Sequence, residues 1–177
     1  MLARRNGFYA FESALHVFPL EDCGSEIGIR RWNSPGLWRG EYGELLRGHF
    51  FFAEDVFGGQ FSIRSDRIWM VDEETGESSE MAGSLEGWAK RLLEDHRVLT
   101  GWPIAHEWQM THGPLPTGKR LMPGRLFVLG GEYEVRNLAA IDAVEAMGFR
   151  GYMAVRLANL PDGTKVRIRF PKPNAES

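Results

Sequence analysis

Acidic side chains are the most numerous residues of this chain that could do chemistry, and two groups of them follow apolar runs. Glu54-Asp55 ends the run that begins at Phe50, and Asp72-Glu73-Glu74 ends the run that begins at Ile68. If the two runs pair in one sheet, the groups meet and form the carboxylate pair that glycosidases use. The simpler interpretation is that they are solvated loop carboxylates, which carry out no reaction.

The other residue types form no catalytic or metal-binding motif. His106 is followed by Glu107 but lacks the second histidine, four residues on, that an H-E-x-x-H zinc site requires. The single cysteine, Cys23, excludes an intramolecular disulfide and a multi-cysteine zinc site. The acidic residues before Gly76 lack the complete calcium-loop pattern, and no nucleophile elbow is present. The sequence therefore predicts a protein that is not an enzyme and uses no metal or cofactor.

Charge is distributed unevenly along the chain. The net charge is −3, but residues 41–96 contain five basic and thirteen acidic residues. This acidity suggests a protein partner with a basic face, because complementary potentials speed association and reject like-charged competitors. A solvated acidic face without a partner is the alternative. Basic residues of the C-terminal part are scattered, which argues against direct nucleic-acid binding. The predicted partner-binding residues are Glu54, Asp55, Asp72, Glu73, Glu74 and Glu77.

Length and composition are those of a soluble globular protein. The chain has 177 residues, of which 43% are hydrophobic and 25% are charged, so one domain can bury a core without a disulfide. No apolar run reaches about 18 residues, so no membrane span is expected. Glu12 and His16 interrupt the N-terminal apolar segment, so no signal peptide is expected either. A cytoplasmic location is the resulting expectation, and no pattern indicates the oligomeric state.

The acidic groups must be positioned by strands and helices that local patterns predict. Alternation and turn residues predict four strands, at 50–52, 57–64, 68–71 and 77–82. Gly58-Gly59 falls inside the second strand and predicts a bulge or a close backbone approach. Ser84 is suited to cap a helix over residues 85–93. Pro103 is suited to the first turn of another helix, which ends near residues 112–113.

The last third of the chain is predicted to be helical and then extended. Residues 113–124 contain three prolines and three glycines, which predicts a linker without regular structure. Apolar spacing predicts a helix over 139–147 and a second one over 149–160, with Gly148 separating them. Val166–Phe170 alternates between apolar and basic residues, which predicts a final strand.

Two pairs of tryptophans are candidates for the core or for an interface. Trp69 and Trp88 lie on a predicted strand and a predicted helix. We expect the strand and the helix to pack together, which favours the core over a binding platform for both tryptophans. Trp32 and Trp38 flank the Asn33–Gly36 turn, so they suit either a protein interface or a loop that covers the core.

One continuous segment, residues 50–93, resembles the SUKH superfamily, which includes the fungal Smi/Knr-type cell-wall regulators and many bacterial immunity proteins. The matching features are the aromatic strand that ends in Glu54-Asp55, the Phe57-Gly58-Gly59-Gln60-Phe61 segment, the Ile68–Asp72 strand, the Glu-Thr-Gly-Glu turn and the Ser84–Leu93 helix.

This resemblance implies an α+β fold with a curved, mostly antiparallel sheet and helices packed on one side. It implies a single SUKH-like domain over residues 1–177, in which residues from about 113–177 can form a C-terminal extension. It also implies an intracellular immunity-type protein that binds and occludes a cognate toxin through the acidic surface. The alternative is a non-enzymatic regulatory scaffold that binds an endogenous protein partner.

Overall fold

The computed structural model describes residues 6–161, 164 and 166, and it has an α+β fold. A six-stranded antiparallel sheet and a two-stranded antiparallel sheet are packed with helices. The predicted fold class is therefore confirmed. No helix in this part of the chain is long and apolar enough to cross a bilayer.

The large sheet follows chain order, and each strand is antiparallel to the next. Its strands are β1 Phe8–Ala10, β2 Leu15–Val17, β3 Phe50–Asp55, β4 Gln60–Arg64, β5 Arg67–Val71 and β6 Ser78–Ala82. The four strands predicted from local patterns correspond to β3 through β6. Ser65 and Asp66 connect β4 to β5, both with positive φ, which is the geometry of the two-residue hairpin turn that suits the twist of strands.

Short helical turns between β2 and β3 cover the core. Trp32 and Trp38 are both buried, with ring centroids 5.3 Å apart, and Trp38 also contacts Phe51 at 5.4 Å. Of the two interpretations of these tryptophans, the structure confirms the loop that covers the core. The turns are α1 Ile29–Trp32, a π-helical turn at Pro35–Arg39, α2 Gly40–Tyr42 and a 3₁₀ turn at Gly43–Leu46.

Helix α3, Leu85–Leu99, begins where the sequence predicts. Ser84 Oγ accepts a hydrogen bond from Gly87 N at 3.1 Å, so Ser84 is the N-cap. Trp88 is buried, and its ring contacts the edges of Phe52 and Phe61 at centroid distances of 4.9 and 5.6 Å. Trp69 is half-buried, and its ring lies edge-on to His49.

Helix α4, Trp102–His112, has Pro103 in its first turn and Gly113 just past its end, as predicted. It packs on a second apolar cluster that is separate from the tryptophan-rich core. This cluster joins the β3–β4 connection to α4 and to the small sheet, and its buried members include Val56, Phe57, Ile104, Trp108, Leu121 and Leu138.

The predicted linker at residues 113–124 is wrong in its second half. Lys119–Pro123 forms strand β7, which pairs with β8, Leu138–Asp142, to make the small sheet. Pro123 stands at the end of its strand, where a missing N–H breaks no ladder inside it. The pairing connects residues far apart in sequence, so local composition does not show it.

The predicted pair of helices at 139–147 and 149–160 is one strand and one helix. Asp142 ends β8 and caps α5, Ala143–Leu157, because its Oδ1 accepts hydrogen bonds from the next backbone N–H groups. Gly148 lies inside α5, at a cost of about 1 kcal/mol relative to alanine, and does not break it. Of the predicted strand at Val166–Phe170, residues 167–170 lie outside the described residues, and Val166 is not in a strand.

The corner between α3 and α4 depends on Gly101. Its φ is +67°, and a Cβ there would lie 2.4 Å from Phe57 Cε2 and 3.0 Å from Val56 Cγ1. Gly24 has a similar φ of +60°, but a Cβ there would meet nothing within 4 Å. Both glycines tolerate a left-handed backbone, and only Gly101 is also crowded.

We expect Gly101→Ala to lower the free energy of unfolding by about 1–3 kcal/mol more than Gly24→Ala, because only the first change overpacks the interior. Urea unfolding of both variants and of the wild type measures this difference. Equal losses in the two variants would contradict the close approach of α4 to the β3–β4 connection.

Candidate functional site

Most of the predicted partner-binding carboxylates lie inside the protein. Asp72 and Glu77 are exposed, as expected of a binding surface. The prediction that all six form an exposed face is wrong for the other four, because internal partners hold them. Each of these four residues has at most 8% of its surface exposed; they are Glu54, Asp55, Glu73 and Glu74.

A row of polar side chains crosses the large sheet. Tyr9 on β1 is opposite His16 on β2, His16 is opposite Glu54 on β3, and Glu54 is opposite Gln60 on β4. Directly opposed residues of antiparallel strands project from the same face, so these four side chains are adjacent. Strand register alone therefore places a polar row within the buried sheet.

Glu54 is the centre of this row and has three side-chain partners. Its Oε1 accepts a hydrogen bond from Arg120 Nε at 2.8 Å and lies 3.2 Å from His16 Nδ1. Its Oε2 accepts from Gln60 Nε2 at 3.3 Å. Burial by itself would raise the pKa of Glu54, but Arg120 and His16 together outweigh it and lower the pKa. Glu54 is therefore a buried carboxylate that stays ionised.

Arg120 reaches this site from β7 and is buried. Its Nη1 donates to the Lys119 carbonyl at 3.0 Å, and its guanidinium lies 5.4 Å from the centroid of the Tyr9 ring. The Tyr9 ring in turn stacks on His16 at 4.2 Å. The charged hydrogen bond from Arg120 to the Glu54 carboxylate thus links the small sheet to the large one.

Asp55 shapes the connection between β3 and β4. Its Oδ1 accepts hydrogen bonds from Phe57 N and Gly59 N, both at 2.8 Å. A Cβ on Gly59 would lie 2.4 Å from Asp55 Oδ2, so the predicted close backbone approach at Gly58-Gly59 is confirmed. Burial raises the pKa of Asp55 to about 7, against the opposing effects of the two N–H groups and Arg150.

Arg150 of α5 approaches the connection between β3 and β4 at Gly58. The residue is fully buried, and its Nη2 donates to the Leu121 carbonyl at 3.3 Å. A Cβ on Gly58 would lie 3.1 Å from Arg150 Nη1, so the glycine makes room for the guanidinium. Burial, followed by the charge of Asp55, raises the pKa of Glu73 well above its ordinary value, and Arg150 opposes this rise. Asp55 and Glu73, one from each predicted acidic group, therefore approach each other inside the protein, whereas Asp72 stays at the surface.

The turn after β5 is held by hydrogen bonds at both ends. Asp72 Oδ1 accepts from Glu74 N at 2.9 Å and from Thr75 N at 2.8 Å. The Tyr42 hydroxyl donates to the Glu73 carbonyl, and Glu74 Oε2 accepts from Val128 N at 2.8 Å. The turn is consequently fixed on one side by α2 and on the other by the segment after β7.

An exposed surface surrounds this turn, and we call it the acidic turn surface. Its members are linked because the turn packs on the segment that follows α2: a Cβ on Gly76 would lie 3.2 Å from the Leu45 side chain. Leu45 is 37% exposed; Asp72 and Glu77 of the turn are also exposed, and so is Glu41, which lies in α2, four residues before Leu45. We define the acidic turn surface as these four exposed residues: Glu41, Leu45, Asp72 and Glu77.

Sequence patterns gave no indication of Arg120, which falls in the segment predicted to be a linker. Arg150 carries a partial signal, because it occupies the apolar stripe of α5 with Met147, Met153 and Ala154. Arginine on such a stripe indicates a buried charge that needs a partner. Within residues 6–161, no three His, Cys, Asp or Glu side chains are arranged to hold a metal ion.

A solved structure shares the fold of this chain. The similarity is to the crystal structure of Atu4351 from Agrobacterium tumefaciens, with 12% sequence identity and a TM-score of 0.52. It covers 82% of this chain and 70% of that chain. At this identity the likeness concerns the fold alone. No protein-family model matches the chain, and no curated protein matches it.

We expect Arg120→Met to lower the free energy of unfolding by about 3–5 kcal/mol, because it leaves the Glu54 charge buried without its main partner. The double variant Glu54→Gln, Arg120→Met removes both charges and should recover a large part of this loss. Urea unfolding of the two single variants and the double variant gives the coupling energy. Additive losses would contradict the pairing.

We expect Asp55→Asn to change how stability depends on pH. The folded-state pKa of Asp55 is raised, so the folded protein binds more protons than the unfolded chain between about pH 4 and about pH 7. Protonation of Asp55 therefore contributes about 2–4 kcal/mol to the free energy of unfolding, and this contribution is lost as pH rises through that window. Asparagine does not titrate, so the variant lacks the contribution at every pH. Chemical unfolding across this range should show the variant gaining stability relative to the wild type.

Asp66→Asn is the matched control for this comparison, because Asp66 is exposed in the β4–β5 turn. Its stability curve should run parallel to that of the wild type. If the Asp55→Asn curve were also parallel, Asp55 would not take up a proton on folding.

Proposed function

We propose that this protein binds a protein partner with a basic face and has no catalytic activity of its own. In this proposal it acts as an immunity-type protein, which occludes a cognate toxin by covering the toxin's basic active-site face. The observation that carries the proposal is the acidic turn surface, in which exposed carboxylates of the turn and of α2 accompany an exposed leucine that packs on the turn. The resemblance of residues 50–93 to the SUKH superfamily, which includes immunity proteins, supports the same conclusion.

The charges of this surface are available to a partner. Within the described part of the chain, Glu41, Asp72 and Glu77 form no ion pair, whereas Glu44 pairs with Arg47 and Glu80 with Arg67. An unpaired surface carboxylate retains its field for a partner's lysine or arginine, and such fields mainly raise association rates. The acidic turn surface therefore suits electrostatic steering of a basic partner.

The surface is also fixed in shape before binding. Tyr42 and Val128 hold the turn through Glu73 and Glu74, and Asp72 closes it with its own side chain. A fixed turn loses less conformational entropy on binding than a mobile loop does. The exposed Leu45 side chain supplies an apolar group beside these carboxylates, and protein interfaces combine apolar contacts with a polar rim.

We expect the double variant Glu41→Lys, Glu77→Lys to bind the polypeptide encoded beside this gene at least about tenfold more weakly than the wild type. Neither side chain donates or accepts an internal hydrogen bond in the described part of the chain, so the fold should be unaffected. Asp72→Asn, which keeps the Oδ1 acceptor for the turn, should weaken binding by a smaller factor. Calorimetry at two ionic strengths measures both effects, and binding should weaken as salt rises.

Glu86→Lys with Glu107→Lys is the matched control, because it makes the same change in net charge on α3 and α4. Equal weakening by both double variants would mean that net charge matters and the surface does not. Absence of both binding and protection by the wild type would remove the immunity proposal. The same charge dependence with an endogenous protein would indicate the regulatory scaffold instead.

A further inference from the structure

A groove of about 330 Å³ lies between the small sheet and the first half of α5. This volume is large enough to hold several side chains of a bound segment. The wall of the groove is mostly apolar, and Glu145 is the one charged residue among those that line it. The apolar side chains of the wall include Met122, Leu126, Ala139, Ile141 and Phe149.

The groove forms because the two faces of the small sheet have different neighbours. Leu121 of β7 is opposite Ala140 of β8, and these residues belong to the apolar cluster that packs on α4. Met122 is opposite Ala139 on the other face of the sheet, which lines the groove together with α5. Apolar surface gains free energy when it is removed from water, so this face suits an apolar occupant.

Glu145 adds a negative charge to this apolar wall. Its side chain is exposed, and it forms no ion pair with any residue in the described part of the chain. A carboxylate beside an apolar wall favours an occupant that carries both apolar side chains and a cation.

The chain reverses direction soon after α5 ends. Thr164 N donates to the Pro161 carbonyl at 3.2 Å, and Thr164 Oγ1 donates to the same oxygen at 2.6 Å. A hydrogen bond between residues three apart is typical of a β-turn, which reverses a chain. At the rise of a helix, Phe149 is at most about 18 Å from Pro161. Six extended residues span about 20 Å, so residues 165–170 are long enough to reach the groove.

The outward face of α5 connects this turn to the groove. Arg156, Tyr152, Phe149 and Glu145 follow one another at helical spacing and therefore lie on one face of the helix. Tyr152 is 44% exposed, and the guanidinium of Arg156 lies on its ring, 3.2 Å from the ring centroid. A segment that returns along α5 thus passes an aromatic ring before it meets the apolar wall.

From these observations we propose that residues 167–170 of this same chain, Arg-Ile-Arg-Phe, bind in the groove. Alternate side chains of an extended segment project to opposite sides, so Ile168 and Phe170 enter the groove together and the two arginines face its rim. Glu145 attracts these arginines. The segment therefore carries the combination of apolar and basic side chains that the groove favours.

The short connection makes this contact favourable even if the groove binds the segment weakly. A segment that is joined to its site by few residues has an effective concentration in the millimolar range. The groove shares no residue with the acidic turn surface, so the contact is independent of the proposed binding function.

The test is a proximity measurement in the full chain. Cys23→Ser removes the exposed native thiol, and Asn174→Cys attaches a nitroxide spin label just beyond the proposed segment. A nitroxide broadens the NMR signals of nearby groups only. We expect strong broadening of the methyl signals of Met122 and Ile141, and a sharp signal from Met81, which lies on the edge strand β6.

One pair of variants tests the apolar contact. Ile168→Ser with Phe170→Ser removes both apolar side chains and should lower the equilibrium constant for docking at least about tenfold. Met110→Ser is the control, because it removes an apolar side chain that is 76% exposed on α4, and it should leave the constant unchanged.

A second pair tests the charge. Glu145→Arg should lower the docking constant by about three- to tenfold, and adding Arg167→Glu with Arg169→Glu should recover most of this loss. Glu107→Arg makes the same change of charge on α4 and should have no effect.

Three results would overturn the proposal. Met122 and Ile141 signals as sharp as that of Met81 would show that the segment does not reach the groove. Equal broadening in a mixture of spin-labelled chains with isotope-labelled, nitroxide-free chains would show that a second copy supplies the occupant. Broadening that survives the Ile168→Ser, Phe170→Ser change would show that these side chains do not hold the segment in the groove.

Discussion

The hydrogen-bonded ion pair between Glu54 and Arg120 is the interaction on which the arrangement of this protein depends. Glu54 lies in the middle of the large sheet, where a carboxylate without partners would be several kcal/mol less stable than in water. Arg120 removes that penalty from β7, and His16 and Gln60 supply the remaining hydrogen bonds from β2 and β4. One carboxylate therefore sets the position of the small sheet relative to three strands of the large one.

The parts of the fold that sequence predicts are those governed by neighbours along the chain. Strands β3 to β6 are joined by short connections, and α3 is capped by its own preceding residue, Ser84. Strand β7 could not be predicted, because its proline- and glycine-rich surroundings resemble a linker and its partner β8 begins 15 residues after β7 ends. The apolar spacing of residues 139–147 predicts a helix in place of strand β8, because Ile141 also fits a helical stripe.

The sequence predicts which residue types form the candidate site, but not whether those residues lie at the surface or in the interior. Composition identifies a surplus of carboxylates between residues 41 and 96, but whether a carboxylate is buried depends on a cation elsewhere in the sequence. Arg120 is 66 residues from Glu54, and Arg150 is farther still along the chain. Asp72 and Glu77 stay exposed because their positions in the turn direct them to solvent. Only the place of Arg150 in the apolar stripe of α5 indicates, from sequence, that charged side chains lie in the interior.

The late position of both arginines has a consequence for synthesis on the ribosome. All six strands of the large sheet, residues 8–82, leave the exit tunnel before Arg120 and Arg150 do, and chains are made from the N-terminus onward. During that interval Glu54, Asp55 and Glu73 have no guanidinium to face, so the nascent sheet cannot close its interior around charged carboxylates. Final packing therefore waits for the helix that brings Arg150, and a chain interrupted before that point is left open to chaperones and proteases.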